Sequence, residues 1–590
     1  MKQRKIFFYS LLLFFSLYAI PLFADTPESV TLESGTLKSE ALESAVIEGS
    51  SNNNASETKS LDVNLLKQEP SADETTTKLT TILNQRINSQ APTRAYCYDK
   101  KRCDTILVSA FYIGNKFTPV WQTNNQVTPL AVELISILKN ANQEGLNLDE
   151  YHISKIDLLL EQIKHNNKSL KLQADFELTL TNAFLLYTSN LAFGKINTQR
   201  VYPGWIIKKR NFNLTSLLNK TIETQNLSFA MLAVSPKYEG YNKLREQLNK
   251  YQKIWQNGGL KKTPNGNSLK IGDKGSRVKI LNNRLIATGE LQESQTQNIS
   301  IYSKETKKAI LQFQQNNWLK VTGMVDKKTL DALNTPINEL IKIISMNMDR
   351  MRYLPDNLGE HYIWVNIPDF SLNIIESGNV VSHMSIIVGK KGTKSCILDS
   401  QISYIEVNPY WNIPKTIAIK DILPKLRESP DYLQKKNIIT YKNKVGSQNI
   451  VKSESIDWSK ITSLNFDYIF RQQPGEQNSL GKIKFVFAND CGIYLHDTPE
   501  RNLFKNQRRD YSHGCIRISK PLELAGYLLK NQTRYTLDDI ESQMDSGKRK
   551  IVTLRMPEDI HVVYFTSWVD ESGNLQFRPD IYKIDNPDLK

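Results

Sequence analysis

The residues best suited to covalent chemistry lie between Tyr494 and Arg517, where two histidines occur close to one cysteine. His496 is followed, after a polar loop, by the string Ser512-His513-Gly514-Cys515. A thiol attacks a carbonyl carbon only as the thiolate, and a nearby histidine can take its proton and later return it to a leaving group. A glycine beside the cysteine removes side-chain bulk, so a substrate carbonyl could approach backbone N–H donors. The pattern indicates a cysteine nucleophile served by a histidine base.

Two other interpretations fit the same residues. Cysteine is often a buried core residue with no chemical role. A zinc site could instead use His496, His513, Cys515 and Cys491, although no Cys-x-x-Cys or His-x-x-x-His spacing supports it. The residues alone favour a nucleophilic cysteine, with no metal and no cofactor. A buried core cysteine and a zinc site stay open as alternatives.

The string resembles the signature of the L,D-transpeptidase family, in which a histidine precedes Ser/Thr-His-Gly-Cys, a hydrophobic residue and Asn or Arg. Here fifteen residues separate His496 from Ser512, and Ile516-Arg517 follows the cysteine. The resemblance implies that Cys515 is the nucleophile and that His496 accepts and donates the proton. It also implies that His513 and the backbone around Gly514 stabilise a tetrahedral intermediate.

The resemblance further implies a set of substrate-binding residues. Arg517 could hold a substrate carboxylate by bidentate pairing, with a structural ion pair as the equally simple alternative. The other expected substrate contacts come from Ser512, Tyr494, Trp411 and Asn408.

The N-terminus predicts export. Lys2, Arg4 and Lys5 precede an apolar run over residues 6–23 that ends Leu-Phe-Ala, so residues 1–24 are interpreted as a signal peptide. Because the run has eighteen residues, an uncleaved membrane anchor is the alternative. The predicted location is the periplasm.

The charge distribution points to an anionic partner. The chain has a net charge of +15, although residues 25–75 contain eleven acidic and only three basic residues, so the rest is strongly basic. A basic body on an exported protein suits an anionic polymer or a membrane surface. Nucleic acid would fit the charge but does not fit export.

The five cysteines allow one free thiol in an oxidising compartment. Cys97 and Cys103 are close enough in sequence for a local disulfide. Cys396 and Cys491 either pair or are simply buried, and the sequence does not decide between these. If Cys515 is the nucleophile, it should be the unpaired cysteine.

Length and composition predict an α+β multidomain chain. Residues 25–95 lack any aromatic side chain and are interpreted as a flexible tether, with at most a short helix near residues 80–88. Residues 96–260 show helical periodicity, and their phrases AFYIGNKFTPVW and NLAFGKI resemble the scaffold domain of large L,D-transpeptidases. Residues 268–335, with Phe-Gln and Gly-x-Val-Asp-x-x-Thr, resemble a three-helix peptidoglycan-binding domain; a plain spacer bundle is the alternative.

Alternating strand patterns begin after residue 336 and predict a mostly-β catalytic domain over residues 336–555. VNPYWNIPKTIAIKDILPKL and RQQPGEQNSLGKIKF resemble the catalytic domain of the large L,D-transpeptidases. Residues 415–470 are polar and helix-prone, which predicts a helical lid inserted over the site. Residues 556–590 are expected to form a β-hairpin that closes the β domain.

Together these features predict an exported L,D-transpeptidase that acts on peptidoglycan. The family resemblance implies a thioester on a tetrapeptide donor stem, release of D-alanine, and transfer to an amine of an acceptor stem to give a 3→3 cross-link. It also implies inhibition by carbapenems. An L,D-carboxypeptidase, a lipoprotein-anchoring transpeptidase and a non-catalytic wall-binding scaffold are the alternatives.

Overall fold

A computed structural model of the protein describes residues 74–89, 105–166, 168–207, 210–530 and 535–585. The predicted signal peptide, most of the predicted tether and the pair Cys97 and Cys103 lie outside the described residues. Among the described residues, no helix combines the length and the apolar character needed to cross a bilayer.

The helices of the described residues fall into a scaffold group, a small three-helix group and shorter helices around the β domain. In chain order they are α1 (Glu74–Asn88), α2 (Thr105–Gly114), α3 (Pro129–Lys139), α4 (Ile153–His165), α5 (Leu170–Phe193), α6 (Thr198–Val201), α7 (Leu214–Thr224), α8 (Leu227–Val234), α9 (Glu239–Gln256), α10 (Ser276–Thr288), α11 (Lys304–Asn316), α12 (Lys327–Leu333), α13 (Ile337–Met351), α14 (Lys415–Ile417), α15 (Leu423–Glu428), α16 (Tyr432–Lys435), α17 (Pro521–Leu529) and α18 (Leu537–Asp545).

The strands lie almost entirely in the second half of the chain. They are β1 (Gln122–Thr123), β2 (Gln126–Val127), β3 (His361–Asn366), β4 (Ser371–Glu376), β5 (Asn379–Gly389), β6 (Leu398–Val407), β7 (Trp411–Ile413), β8 (Ile438–Lys442), β9 (Ile450–Val451), β10 (Tyr468–Gln472), β11 (Ile483–Phe487), β12 (Leu495–His496), β13 (Asp510–Ser512), β14 (Ile516–Ile518), β15 (Lys550–Val563), β16 (Ser567–Val569) and β17 (Leu575–Phe577).

The scaffold helices pack around α5, which is apolar on nearly every side and therefore buried along most of its length. One polar residue in its interior, Glu177, accepts hydrogen bonds from the backbone N–H groups of Val120 and Trp121 at 3.0 and 2.9 Å. The hydroxyl of Tyr112 donates to the same carboxyl at 3.0 Å. Burial raises the pKa of Glu177 to about 7.

The C-terminal end of the predicted tether, where at most a short helix near residues 80–88 was expected, forms the longer helix α1 and is packed rather than flexible. Helix α1 packs into the scaffold core through the buried side chains of Leu79, Leu83 and Ile87. Arg86 also pairs with Asp175 of α5 at 2.5 Å. These three apolar residues at spacing i, i+4, i+8 form a narrow stripe, which suffices once a partner surface exists.

The three-helix unit of α10, α11 and α12 has its own apolar core. Gln314, from the Phe-Gln pair noted in the sequence, is buried, and its carbonyl oxygen accepts from the N–H groups of Thr322 and Gly323, each at 2.8 Å. Its amide group donates to Met324 O and Thr329 Oγ1. The glutamine therefore ties the turn before α12 to the end of α11.

The C-terminal half is a closed β structure, as the mostly-β prediction requires. Its main sheet has the strand order β13-β5-β14-β12-β11-β6-β15-β3-β4, and β4 also pairs with β5, so the sheet closes on itself. The interior is filled by apolar side chains that alternate along the strands.

One predicted boundary and one predicted role are wrong in this region. The strand β15 crosses the boundary placed at residues 555 and 556, and it pairs with both β3 and β6 within the main sheet. The C-terminal hairpin of β16 and β17 exists, but it forms a separate two-stranded sheet and does not close the β domain.

The insertion over residues 415–470 is not simply helical. It contains α14, α15 and α16, but its strands β8 and β9 join β7 and β10 in a four-stranded sheet of order β7-β10-β8-β9. Trp458, Phe466 and Phe470 form a local aromatic core with the insertion's helices. The sequence of this segment is mostly polar, so the apolar residues that form its own core were not recognised.

Candidate active site

The Cys515 thiol stands at a tight turn between β13 and β14. Gly514 has φ +119°, a backbone conformation that residues with a Cβ rarely adopt, while the space around it would admit a Cβ. The backbone angle by itself thus favours glycine here, and the expectation that the missing side chain lets a substrate carbonyl approach stays a prediction. Ser512 Oγ donates to Cys515 O at 2.5 Å and accepts from Gly514 N at 3.1 Å.

The turn is also held from outside. Ser395 Oγ donates to Gly514 O at 2.6 Å, and the next residue, Cys396, is disulfide-bonded to Cys491. Cys515 is partly exposed and is the free cysteine among the described residues. Because the sulfur of Cys491 is in a disulfide, it has no thiolate to offer the zinc site considered above.

His496 is brought beside the cysteine by parallel strand pairing. In the register of β12 and β14, Leu495 lies opposite Ile516 and His496 opposite Arg517. Side chains alternate along strands, so Tyr494, His496 and Cys515 occupy one face of this pair. The structure thus places the two residues predicted from the sequence string in one site.

The hydrogen bond of His496 fixes which ring nitrogen is available. Nδ1 lies 2.5 Å from Asp497 O, so it carries the proton and donates to this carbonyl. Nε2 is then the nitrogen that can accept a proton, and a hydrogen bond between the ring and the backbone of Leu480 also favours the protonated imidazole. Burial, with the positive charges of Arg517 and Lys484, lowers the pKa of His496 to about 3. The imidazole is neutral in the resting site.

Tyr494 lies directly against the nucleophile. Its backbone N–H and its hydroxyl both hydrogen-bond the sulfur of Cys515, and each of these contacts favours the thiolate. Burial outweighs them, so the pKa of Cys515 is raised above its ordinary value. Burial and the neighbouring sulfur likewise raise the pKa of Tyr494. The Tyr494 and His496 rings are 5.7 Å apart.

Lys484 is a site residue that the sequence analysis missed. It pairs with His496 across β11 and β12, and its Nζ lies 4.3 Å from the centre of the Tyr494 ring. Glu406 Oε2 lies 3.4 Å from the same Nζ. The cation favours ionisation of Cys515 and disfavours ionisation of His496. Side chains alternate between the two faces of a strand, so a prediction that β11 pairs with the strand of His496 could have identified Lys484 as a neighbour.

Arg517 is held by an ion pair rather than left free for a ligand. Its Nη1 bonds Glu500 Oε2, and its side chain is 18% exposed. Of the two interpretations given above, the structural ion pair is therefore the one present. The guanidinium remains close enough to lower the pKa of His496.

His513 faces the insertion and not the histidine–cysteine pair. Its Nε2 lies 2.9 Å from Asp421 Oδ2 and 3.4 Å from Lys390 Nζ. Burial and Lys390 lower the pKa of His513, and Asp421 opposes this. Since Asp421 belongs to the inserted segment, His513 connects the nucleophile turn with the insertion. This contact was not foreseen from the sequence.

Three of the predicted substrate contacts have structural roles in this conformation. Asn408 is buried, and its amide group donates to the carbonyl oxygens of Gln543, Met544 and Lys548 at the end of α18. Ser512 is occupied within the nucleophile turn, as described above. Trp411 lies in β7 and packs against the core of the insertion. Asn408 and Ser512 are buried and their hydrogen-bonding groups already have partners in the protein. The expectation that these two residues contact the substrate is therefore corrected.

The backbone donors near the sulfur differ in availability. Gly514 N–H is taken by Ser512 Oγ. Among the described residues, Cys515 N–H has no hydrogen-bond acceptor, so it can turn to an oxyanion formed at a carbonyl that the sulfur attacks. A free thiol, a neutral imidazole and an amide without an acceptor are the groups that acyl transfer through a cysteine would use.

Three family models match the chain. Residues 107–248 match "Scaffold domain", residues 274–333 match "Putative peptidoglycan binding domain", and residues 360–537 match "L,D-transpeptidase catalytic domain". The chain thus combines an L,D-transpeptidase catalytic domain with a peptidoglycan-binding domain and a scaffold domain, which confirms the family resemblance and the α+β multidomain class.

Known proteins resemble parts of the chain. A Haemophilus influenzae protein named "Putative L,D-transpeptidase" is 35% identical over 242 residues, which are 41% of this chain and 48% of the relative, so the match spans about half of that protein. A solved structure entitled as the Ldtfm-avibactam carbamoyl enzyme is 11% identical, covering 35% of this chain and 49% of that chain, with a TM-score of 0.16. An L,D-transpeptidase from Xylanimonas cellulosilytica is 13% identical, covering 51% and 99%, with a TM-score of 0.15. TM-scores this low carry no structural argument.

Proposed function

We propose that the protein is an exported peptidoglycan L,D-transpeptidase that forms 3→3 cross-links through a thioester on Cys515. The observation that carries this proposal is the free Cys515 on the same face of adjacent strands as His496, whose pKa is lowered so that its imidazole is neutral. The catalytic-domain match and the peptidoglycan-binding match support peptidoglycan as the substrate. Export rests on the N-terminal sequence of residues 1–24.

In the acylation step, His496 Nε2 takes the proton of the thiol as Cys515 Sγ attacks the carbonyl of the third stem residue. Charge builds on the carbonyl oxygen, where Cys515 N–H can donate to it. The carbon–nitrogen bond to the fourth residue then breaks, and the imidazolium protonates the leaving amine of D-alanine. The products are a thioester and a neutral histidine.

In the transfer step, an acceptor amine attacks the thioester carbonyl and gives a proton to His496. Collapse of the tetrahedral species breaks the carbon–sulfur bond, and the proton returns to the leaving sulfur. An amide cross-link forms and the free thiol of Cys515 is regenerated. The same acyl-enzyme would give an L,D-carboxypeptidase if water replaced the amine.

Product analysis tests the proposal. Disaccharide-tetrapeptide is incubated with the intact protein and with a Cys515→Ala variant, and the products are identified by mass spectrometry. Cross-linked dimer with released D-alanine from the intact protein alone is the expected result. Tripeptide without dimer would identify a carboxypeptidase, and binding without any product would leave a wall-binding scaffold.

Carbapenem acylation provides a second measurement of the nucleophile. The expected result is the mass of the opened lactam on the peptide that contains Cys515, and on no other cysteine peptide. Modification elsewhere would contradict the assignment of Cys515.

A further inference from the structure

A polar cleft of about 510 Å³ lies in the scaffold half of the chain, formed by two separate segments. One wall is a face of α9, where Asn249, Gln252, Lys253 and Gln256 recur at helical spacing. The opposite wall is the turn after α3, which contributes Asn140 and Asn142. The volume falls within the range of ordinary ligand sites.

The two walls are fixed to each other. Gln252 Nε2 donates to Asn142 O at 2.7 Å, and Asn142 Nδ2 lies 3.4 Å from Gln252 Oε1. The α9 helix is fixed further along, where Lys250 Nζ donates to Thr288 O in α10. The cleft is therefore pre-formed, and a ligand would lose little free energy in ordering it.

The lining chemistry is unusual for a surface groove. It is dominated by carboxamides, with lysines at positions 139 and 253, and no carboxylate lines the cleft in the described part of the chain. Asn249 Oδ1 is buried, and the described residues give it no hydrogen-bond partner. A buried acceptor without a partner is costly, so turning the Asn249 amide toward the cleft, where a ligand donor could meet it, would relieve that cost.

Carboxamides both donate and accept hydrogen bonds, as do sugar hydroxyls and acetamido groups. Lys139 is already paired with Asp157 at 2.8 Å, so the Lys253 ammonium is the group that would complement a carboxylate of an attached acyl or peptide substituent.

We infer that this cleft, referred to below as the amide cleft, binds the N-acetylated glycan of a muropeptide. The inference rests on the proposed function for the choice of glycan, and it places a saccharide site on the scaffold helices, outside both the catalytic domain and the three-helix unit.

Binding is measured on the full chain carrying Cys515→Ala, so that no turnover intervenes. Calorimetric titration uses the disaccharide-tetrapeptide, the same disaccharide without peptide, and the free tetrapeptide. Hydrogen-exchange mass spectrometry of the same mixtures reports protection in residues 139–148 and 249–256.

Two variants remove cleft groups. Asn249→Leu keeps the side-chain volume and removes the unpaired oxygen, and Gln256→Ala changes an exposed position where folding is not at risk. Asn242→Leu makes the same chemical change at an exposed position of α9 outside the cleft. We expect the dissociation constant for the disaccharide to rise about fivefold or more in each cleft variant, as for a lost hydrogen bond, and to be unchanged in Asn242→Leu.

Equal affinities in all three variants, or protection that spares both segments, would overturn the inference. Binding of the free tetrapeptide alone would overturn it as well, because the glycan would then not be the ligand. The proposed function is judged separately, by cross-link formation in protein that retains Cys515. Loss of cleft binding with normal cross-linking refutes only the amide cleft, and disaccharide binding without any cross-linking refutes only the enzyme.

Discussion

Alkylation of the Cys515 thiol should accelerate about tenfold per pH unit through the neutral range, because the resting site holds a thiol and a neutral imidazole. The pKa of His496 is lowered to about 3, and the pKa of Cys515 is raised above the ordinary thiol value of about 8.5. Moving the proton from sulfur to imidazole therefore crosses more than about five pKa units, or about 7 kcal/mol.

The attraction between the Cys515 thiolate and the His496 imidazolium offsets only part of this cost. An ion pair in contact gains about 4 kcal/mol at an effective dielectric constant of about 20. The remaining cost of about 3 kcal/mol keeps the thiolate–imidazolium form below about 1% of the free protein. The thiolate that reacts at neutral pH then comes from simple deprotonation of Cys515, whose population rises with pH.

The assay is the rate of iodoacetamide addition to Cys515 between pH 5 and 10, measured by mass spectrometry of the peptide. A straight rise without a plateau below pH 8 is expected. His496→Gln should leave this profile almost unchanged, since no imidazolium stabilises the thiolate in the free protein. Lys484→Met should move the profile to higher pH, because the nearby cation favours the thiolate.

A plateau of the alkylation rate between pH 5 and 8 would refute the reasoning, since it would reveal a pre-formed ion pair. A large rightward shift in His496→Gln would refute it in the same way. If Lys484→Met left the profile in place, Lys484 would have no electrostatic role at the sulfur.

Three further expectations concern the base, the scaffold and its first helix. His496→Ala should lower the acylation rate by about a hundredfold or more, and His513→Ala should lower it by about tenfold. Stopped-flow acylation with a chromogenic lactam measures both rates. A larger loss in His513→Ala would exchange the roles of the two histidines. The free energy of unfolding should fall as the pH rises from 4.5 to 7, because the folded Glu177 carboxyl keeps its proton to about pH 7 and the unfolded one loses it near 4.5. In thermal denaturation measured across this range, Glu177→Gln should remove most of the fall. Leu83→Ala should weaken docking of α1 by about 3 kcal/mol and speed hydrogen exchange in residues 74–88, which a freely moving segment would not show.

The chemistry of the site could be predicted from the sequence because it depends on residue types that sit close together in the chain. Cys515 and His496 were identified from their string and spacing, and the structure brings them onto one face of adjacent strands. The three-helix unit could be predicted for a similar reason, since Gln314 and the turn it holds lie within ten residues of each other. Helix α5 was visible as a run of apolar residues with no polar face.

What failed was decided by contacts between residues distant in sequence. Asn408 looked like a ligand-binding residue, but the carbonyl oxygens at the end of α18 consume its amide group. The helix α1 is almost featureless by itself and becomes ordered because α5 covers its apolar stripe. The insertion was predicted to be helical because its strands are short and its local sequence is polar.

The sequence by itself therefore determined which atoms can react, since a thiol and an imidazole follow directly from residue identity. Only the tertiary structure decided the protonation state of the pair. Burial and the charges of Lys484 and Arg517 lower the pKa of His496, and the pairing of β12 with both β11 and β14 places these two charges beside it. Strand register sets which charges surround the sulfur, and register depends on the packing of the whole sheet.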